Sequence, residues 1–88
     1  MAMTTWRKLI AQEMENHSET FDDVISCTLS DDELDAEFDD SYGLVEGTPF
    51  TLWTHKSVYF PVCYDGSEWA SRVSRSPDGK ATDHQGGA

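Results

Sequence analysis

Apolar residues recur along this chain with two different periods. Near the start, Trp6, Leu9, Ile10 and Met14 occupy the i, i+3, i+4 and i+8 positions of one helical stripe. They predict a helix from Thr4 or Thr5 to about Asn16, with a threonine as its cap. Arg7 and Lys8 near its start and Glu13 and Glu15 near its end oppose the helix dipole, so its stability must come from packing. From Phe50 onward the period falls to two. Phe50 to Thr54, Val58 to Tyr64 and Glu68 to Val73 each alternate as strands do. His55-Lys56-Ser57 links the first pair, and Asp65-Gly66 matches a type I′ hairpin turn between the second. Pro61 would remove a ladder donor from the central strand, which calls for a bulge or another strand order.

Between these regions the signals are mixed. Phe21, Val24, Ile25 and Thr28 have helical spacing behind Ser18, and this favours a helical turn over Thr20 to Cys27. The β-branched run from Val24 to Leu29 is the competing strand. Ser30-Asp31-Asp32-Glu33 is a capping box. The helix it opens is predicted to reach about Asp40, anchored by Leu34 and Phe38, with Gly43 as terminator. The fold class that follows is α+β, with two or three short helices on a three-stranded antiparallel meander. Residues 1–76 form one compact domain and 77–88 a flexible tail. Phe50, Leu52, Val58, Phe60, Val62 and Tyr64 form the predicted core face. Trp53, Tyr59 and Trp69 fall on the other, either as an exposed aromatic patch or under a helix; the second is slightly favoured.

Charge changes the picture most. The chain has 88 residues and a formal net charge of −11, and 13 of its 17 acidic residues lie between Glu13 and Glu46. That field repels nucleic acid and anionic membranes and attracts basic surfaces. No signal-like or membrane-length apolar run is present, and two cysteines fit a reduced cytoplasmic protein. His17, Cys27, His55, Cys63 and His84 lack metal-site spacing. Asp35 to Glu46 partly matches a calcium loop, but Asp40 stands where the turn glycine belongs. No phosphate loop or nucleophile motif occurs, so no metal, cofactor or enzymatic activity is expected.

Taken together, Thr28 to Asp40, Pro49 to Thr54 and Val58 to Gly66 resemble small acidic phage and prophage proteins. The resemblance implies an inhibitor of host defence proteins, such as restriction enzymes or CRISPR complexes, acting in the host cytoplasm. On the charge argument, Asp31, Asp32, Asp35, Glu37, Asp39 and Asp40 would occupy a basic groove on a host protein in place of nucleic acid. The competing expectation is an adaptor or assembly protein that forms a homodimer through its aromatic sheet face.

Overall fold

The computed structural model describes residues 3–39, 47–64 and 67–85. In chain order they form β1 (Met3–Thr4), α1 (Trp6–Glu15), a 3-10 turn (Phe21–Asp23), β2 (Val24–Cys27), α2 (Asp31–Asp35), β3 (Phe38–Asp39), β4 (Leu52–Thr54), β5 (Ser57–Tyr64) and β6 (Ser67–Ser74). The architecture is α+β, with a two-stranded ribbon β1-β3 and a four-stranded antiparallel sheet ordered β2-β4-β5-β6. Gly43, Asp65-Gly66, Asp40 and most of the calcium-like loop lie outside the described residues.

α1 matches its predicted stripe. Trp6, Leu9, Ile10 and Met14 are its buried residues, and Thr5 Oγ1 caps it by accepting the Lys8 N–H at 3.2 Å. Its end is tied by a Glu19 N–H bond to the Met14 carbonyl at 3.0 Å, with Ser18 at φ 58°. This is a Schellman-type stop in which a serine holds the left-handed position usually given to glycine. The reversal turns Glu19 back into the sheet.

Three expectations are corrected. The meander of β4, β5 and β6 is present, but it is extended to four strands by β2. Residues 20–27 are therefore a capped 3-10 turn followed by a strand, not a helical turn. Pairing with β4 supplies hydrogen bonds that favour the β-branched reading over a marginal helix. α2 ends at Asp35, where Ala36 is extended at ψ 130°, and does not reach Asp40. Continuing it would set Glu33 against Glu37 and Asp35 against Asp39 at i, i+4, at the negative end of the dipole. Phe38 is buried as predicted, but from β3, where it pairs with Thr4.

The third correction concerns which side chains share a face. Leu52 pairs with Tyr59, and Trp53 with Val58. Tyr59 pairs with Arg72, and Val62 with Trp69. Cross-strand partners point to the same face. Leu52, Thr54, Tyr59 and Ala70 therefore lie on one face, where they meet α1, Leu34 and Phe38 in a single core. Trp53, Val58, Phe60, Val62, Trp69 and Val73 lie on the other. Val58, Phe60, Val62 and Tyr64 are thus not on the core face. Pro61 needs no bulge: β5 and β6 pair in continuous register, and β4 has no paired residue beyond Tyr59. Among the described residues, the register shift lies in β2, between Val24 and Ser26.

Candidate interaction surfaces

Two surfaces and two buried carboxylates stand out. The first surface is acidic and belongs to the helical layer. Ser30 Oγ accepts the Glu33 N–H at 3.2 Å, and Glu33 Oε1 accepts the Ser30 N–H at 2.9 Å. The two bonds fix the start of α2, and hydrogen bonds from the Ser30 backbone N–H, then its hydroxyl, hold the Glu33 carboxyl below its ordinary pKa. Arg7, from α1, reaches across with Nε 2.6 Å from Asp35 Oδ1 and Nη2 3.2 Å from Asp31 Oδ1. Its guanidinium also lies 5.0 Å from the centre of the Phe21 ring. Arg7 thus clamps α2 to α1 and partly neutralises two of the predicted contact residues.

The six predicted carboxylates are therefore not equivalent. Asp31, Asp32, Asp35 and Glu37 are exposed, Asp39 is half-buried in β3, and Asp40 lies outside the described residues. Asp31 and Asp35 are shared with Arg7, which leaves Asp32 and Glu37 as solvent-facing carboxylates outside that clamp. The charge is also segregated along the chain. Residues 1–46 carry 13 acidic side chains against Arg7 and Lys8, while residues 47–88 carry four acidic and four basic. The net charge of −11 thus resides in the first half, and the half that supplies β4, β5 and β6 sums to zero.

The second surface is the other face of the sheet, which the C-terminal segment reaches at Ser71, itself 6% exposed. Trp53, Val58, Phe60, Trp69 and Val73 are each half-buried there, and the neighbouring Val62 is 8% exposed. Among the described residues, α1 and α2 bury their apolar side chains in the core on the opposite face. Trp53 and Trp69 are thus placed on the predicted aromatic face, but Tyr59 is not: it is fully buried in the core.

Tyr59 instead anchors a polar cluster that sequence reasoning missed. Its hydroxyl donates to Glu19 Oε1 at 2.6 Å, and Glu19 is only 5% exposed. Burial alone would raise the Glu19 pKa. Hydrogen bonds from Ser57, Thr54 and Tyr59, with the Lys56 charge nearby, outweigh it and hold the carboxyl below the ordinary range. Burial, and then the bond to Glu19, pushes the Tyr59 phenol well above its usual value. Arg72 closes the cluster, its Nε donating to Ser57 Oγ at 2.7 Å. Only the left-handed turn at Ser18 delivers Glu19 here, and no sequence motif marks it.

The signs set a pH window. The lowered Glu19 pKa contributes stability fully present above its ordinary value of 4.5 and lost as pH falls through the folded value. The raised Tyr59 pKa contributes stability present below 10.0 and lost as pH rises beyond it. The stability difference between wild type and Glu19→Gln should therefore shrink as pH drops below 4.5. The difference for Tyr59→Phe should shrink above pH 10.0. Urea titrations across pH measure both, and a pH-independent difference for either variant would contradict the assignment.

The other buried carboxylate, Glu68, is 5% exposed and accepts the Gly47 N–H on both oxygens, at 3.0 and 3.1 Å. A polar groove of about 800 Å3 separates β6 and the Glu13–His17 end of α1 from the C-terminal segment, which returns so that Ser71 Oγ donates to Gln85 at 2.9 Å. Among the described residues, no three His, Cys, Asp or Glu side chains group as a metal site, and no helix is long and apolar enough to cross a membrane. Cys27 and Cys63 are free thiols. No family model, curated protein or solved structure matches the chain.

Proposed function

We propose that this chain is a non-enzymatic binding protein whose acidic helical layer engages a basic surface on a partner protein, of the kind that otherwise binds nucleic acid. The observation that supports it is the segregation of charge: a net −11 in residues 1–46 and zero in residues 47–88. A charge spread for solubility alone has no need of that polarity. The capping box and the Arg7 clamp hold α2 in one place, so Asp31, Asp32, Asp35 and Glu37 are offered as a fixed pattern. Such a field steers association with a cationic groove and repels nucleic acid itself. An inhibitor of host restriction or CRISPR proteins, encoded by a phage and acting in the host cytoplasm, fits this reading.

The test reverses charges that have no part in the Arg7 clamp. Asp32→Lys with Glu37→Lys should leave the fold intact and slow capture of a basic partner about tenfold or more at low salt. Affinity purification from bacterial lysate at low and high salt, followed by association kinetics on the captured partner, measures it. Rates and salt dependence equal to wild type would rule out the acidic layer as the interface.

A further inference from the structure

We infer that the outer edge of β6 is a docking site for an extended segment of a partner protein in which acidic and apolar residues alternate. β6 is an edge strand of the four-stranded sheet. The Arg75 N–H donates to the Lys56 carbonyl at 2.9 Å, which continues the β5-β6 ladder by one pair. Bonded and non-bonded pairs alternate in an antiparallel ladder. Val58 with Val73 and Phe60 with Ser71 are therefore the bonded pairs, and the N–H and C=O groups of Arg72 and Ser74 point away from β5. Among the described residues, no group bonds them. The other edge, β2, is blunted by its register shift, whereas β6 pairs over eight residues without a break. The inference does not depend on the acidic layer having a partner.

The polar groove runs along this edge, with residues 71–76 as one wall and the C-terminal segment as another. That segment is tied at its ends, where Arg75 Nη1 donates to the Thr54 carbonyl at 2.9 Å and Gln85 accepts from Ser71. Every residue from 75 to 85 is exposed, and the bonds between the ties are local, such as the Lys80 N–H to Asp78 at 3.0 Å. The segment thus arches past the edge without pairing to it, and leaves about 800 Å3 between. Ligand clefts measure about 300–1,000 Å3, and an added strand sits about 4.8 Å from its neighbour. Side chains of an added strand would alternate between the two faces as those of β6 do. On one face they meet Arg72. With Arg75 and Lys80 it brings three of the chain's six lysines and arginines to the groove. Arg72 bonds Ser57 Oγ and the Lys56 carbonyl, and Arg75 bonds the Thr54 carbonyl, so both guanidiniums have only neutral acceptors and suit carboxylates. Of the carboxylates lining the groove, Glu13 is held by Asn16 and His17, Asp78 by the Lys80 N–H, and Asp83 lies at the Gln85 end. On the other face the added strand meets Val73, beside which apolar side chains fit. A free anion would use the arginines alone; the unpaired peptide groups single out an extended chain.

The probe is a labelled peptide of about eight residues alternating glutamate and valine, long enough to span β6. It is titrated into the full chain at physiological salt and read by fluorescence anisotropy, where saturable binding is expected. Ser74→Pro should weaken binding at least about tenfold, because it removes an outward donor that the sheet itself does not use. A matching peptide with serine in place of glutamate should bind at least about fivefold more weakly, and Arg72→Gln should narrow that gap. Should either variant fail to fold, amide exchange of the wild type still decides. The Arg72 and Ser74 amides should exchange quickly in the free chain and at least about tenfold more slowly at saturating peptide, while Ser71 and Val73 are protected in both states. No saturable binding, binding unchanged by Ser74→Pro, or Arg72 and Ser74 amides that exchange alike with and without peptide each overturns the inference. A serine peptide that binds as well as the glutamate peptide overturns its acidic chemistry.

Discussion

Trp6→Ala should cost about 3–5 kcal/mol, a large part of the stability of so small a domain. Trp6 is the hinge of the core. It is 1% exposed, and its ring packs between Phe38 at 4.9 Å and Phe50 at 4.8 Å, centroid to centroid. These contacts join α1 to β3 and to the segment that enters β4, so the cavity would open where the helical layer meets the sheet. At about 4–8 °C per kcal/mol for this size, the melting temperature should fall by more than about 12 °C. Trp6→Phe should be much milder. It keeps a ring between the two phenylalanines and deletes Nε1, which is buried with no hydrogen-bond partner among the described residues. An unsatisfied buried donor costs about 1–3 kcal/mol, and its removal offsets part of the lost packing. Thermal melts of the two variants check this. A phenylalanine variant as damaged as the alanine would show that Nε1 is satisfied after all.

Gly47→Ala should be the second most damaging single change among those considered. Ordinarily such a substitution stabilises by about 0.4–1 kcal/mol, because alanine restricts the unfolded chain. Here a Cβ would lie 2.6 Å from Trp6 Cζ2 and 2.6 Å from Glu68 Oε1. The indole is rigid and locked between two phenylalanines, so it cannot yield. Overpacking of this kind costs about 1–3 kcal/mol. Displacing the Gly47 N–H from the buried Glu68 carboxylate adds the loss of a charge-assisted hydrogen bond, about 1.5–3 kcal/mol. The two sites should be strongly coupled. Gly47→Ala in a Trp6→Phe background should cost less than in wild type, since Cζ2 and Cε2 are gone. A double-mutant cycle by urea denaturation measures the coupling, and strict additivity would show that the ring is not what Gly47 makes room for.

Both predictions rest on contacts that no local pattern announces. Gly47 and Glu68 are 21 positions apart, and Glu19 and Tyr59 are 40 apart. A glutamate in a strand and another after a helix read as solvent-facing charge until the fold encloses them. The acidic surface was legible in part. Its charge and its capping box are written in consecutive residues, but the Arg7 clamp joins positions 24 and 28 apart. Nothing in the acidic run indicates that Asp31 and Asp35 would meet a cation.

What the sequence by itself determined is what depends on neighbours within a turn or a strand. The stripe of α1, the capping box at Ser30, the strand character of β4 to β6 and the charge polarity all belong to this class. The tertiary structure decided how long α2 runs, whether residues 24–27 pair as β2, and which face of the sheet is covered. The last of these has a simple physical reason. Alternation of period two sorts each strand into two sets of residues, but it does not say how the sets of adjacent strands are matched. That phase is set by register, here by the His55-Lys56 link that places Leu52 opposite Tyr59. With apolar residues on both sets, hydrophobicity could not choose between them. Only the docking of α1 sent Tyr59 inward and left Trp53 and Trp69 together on the opposite face.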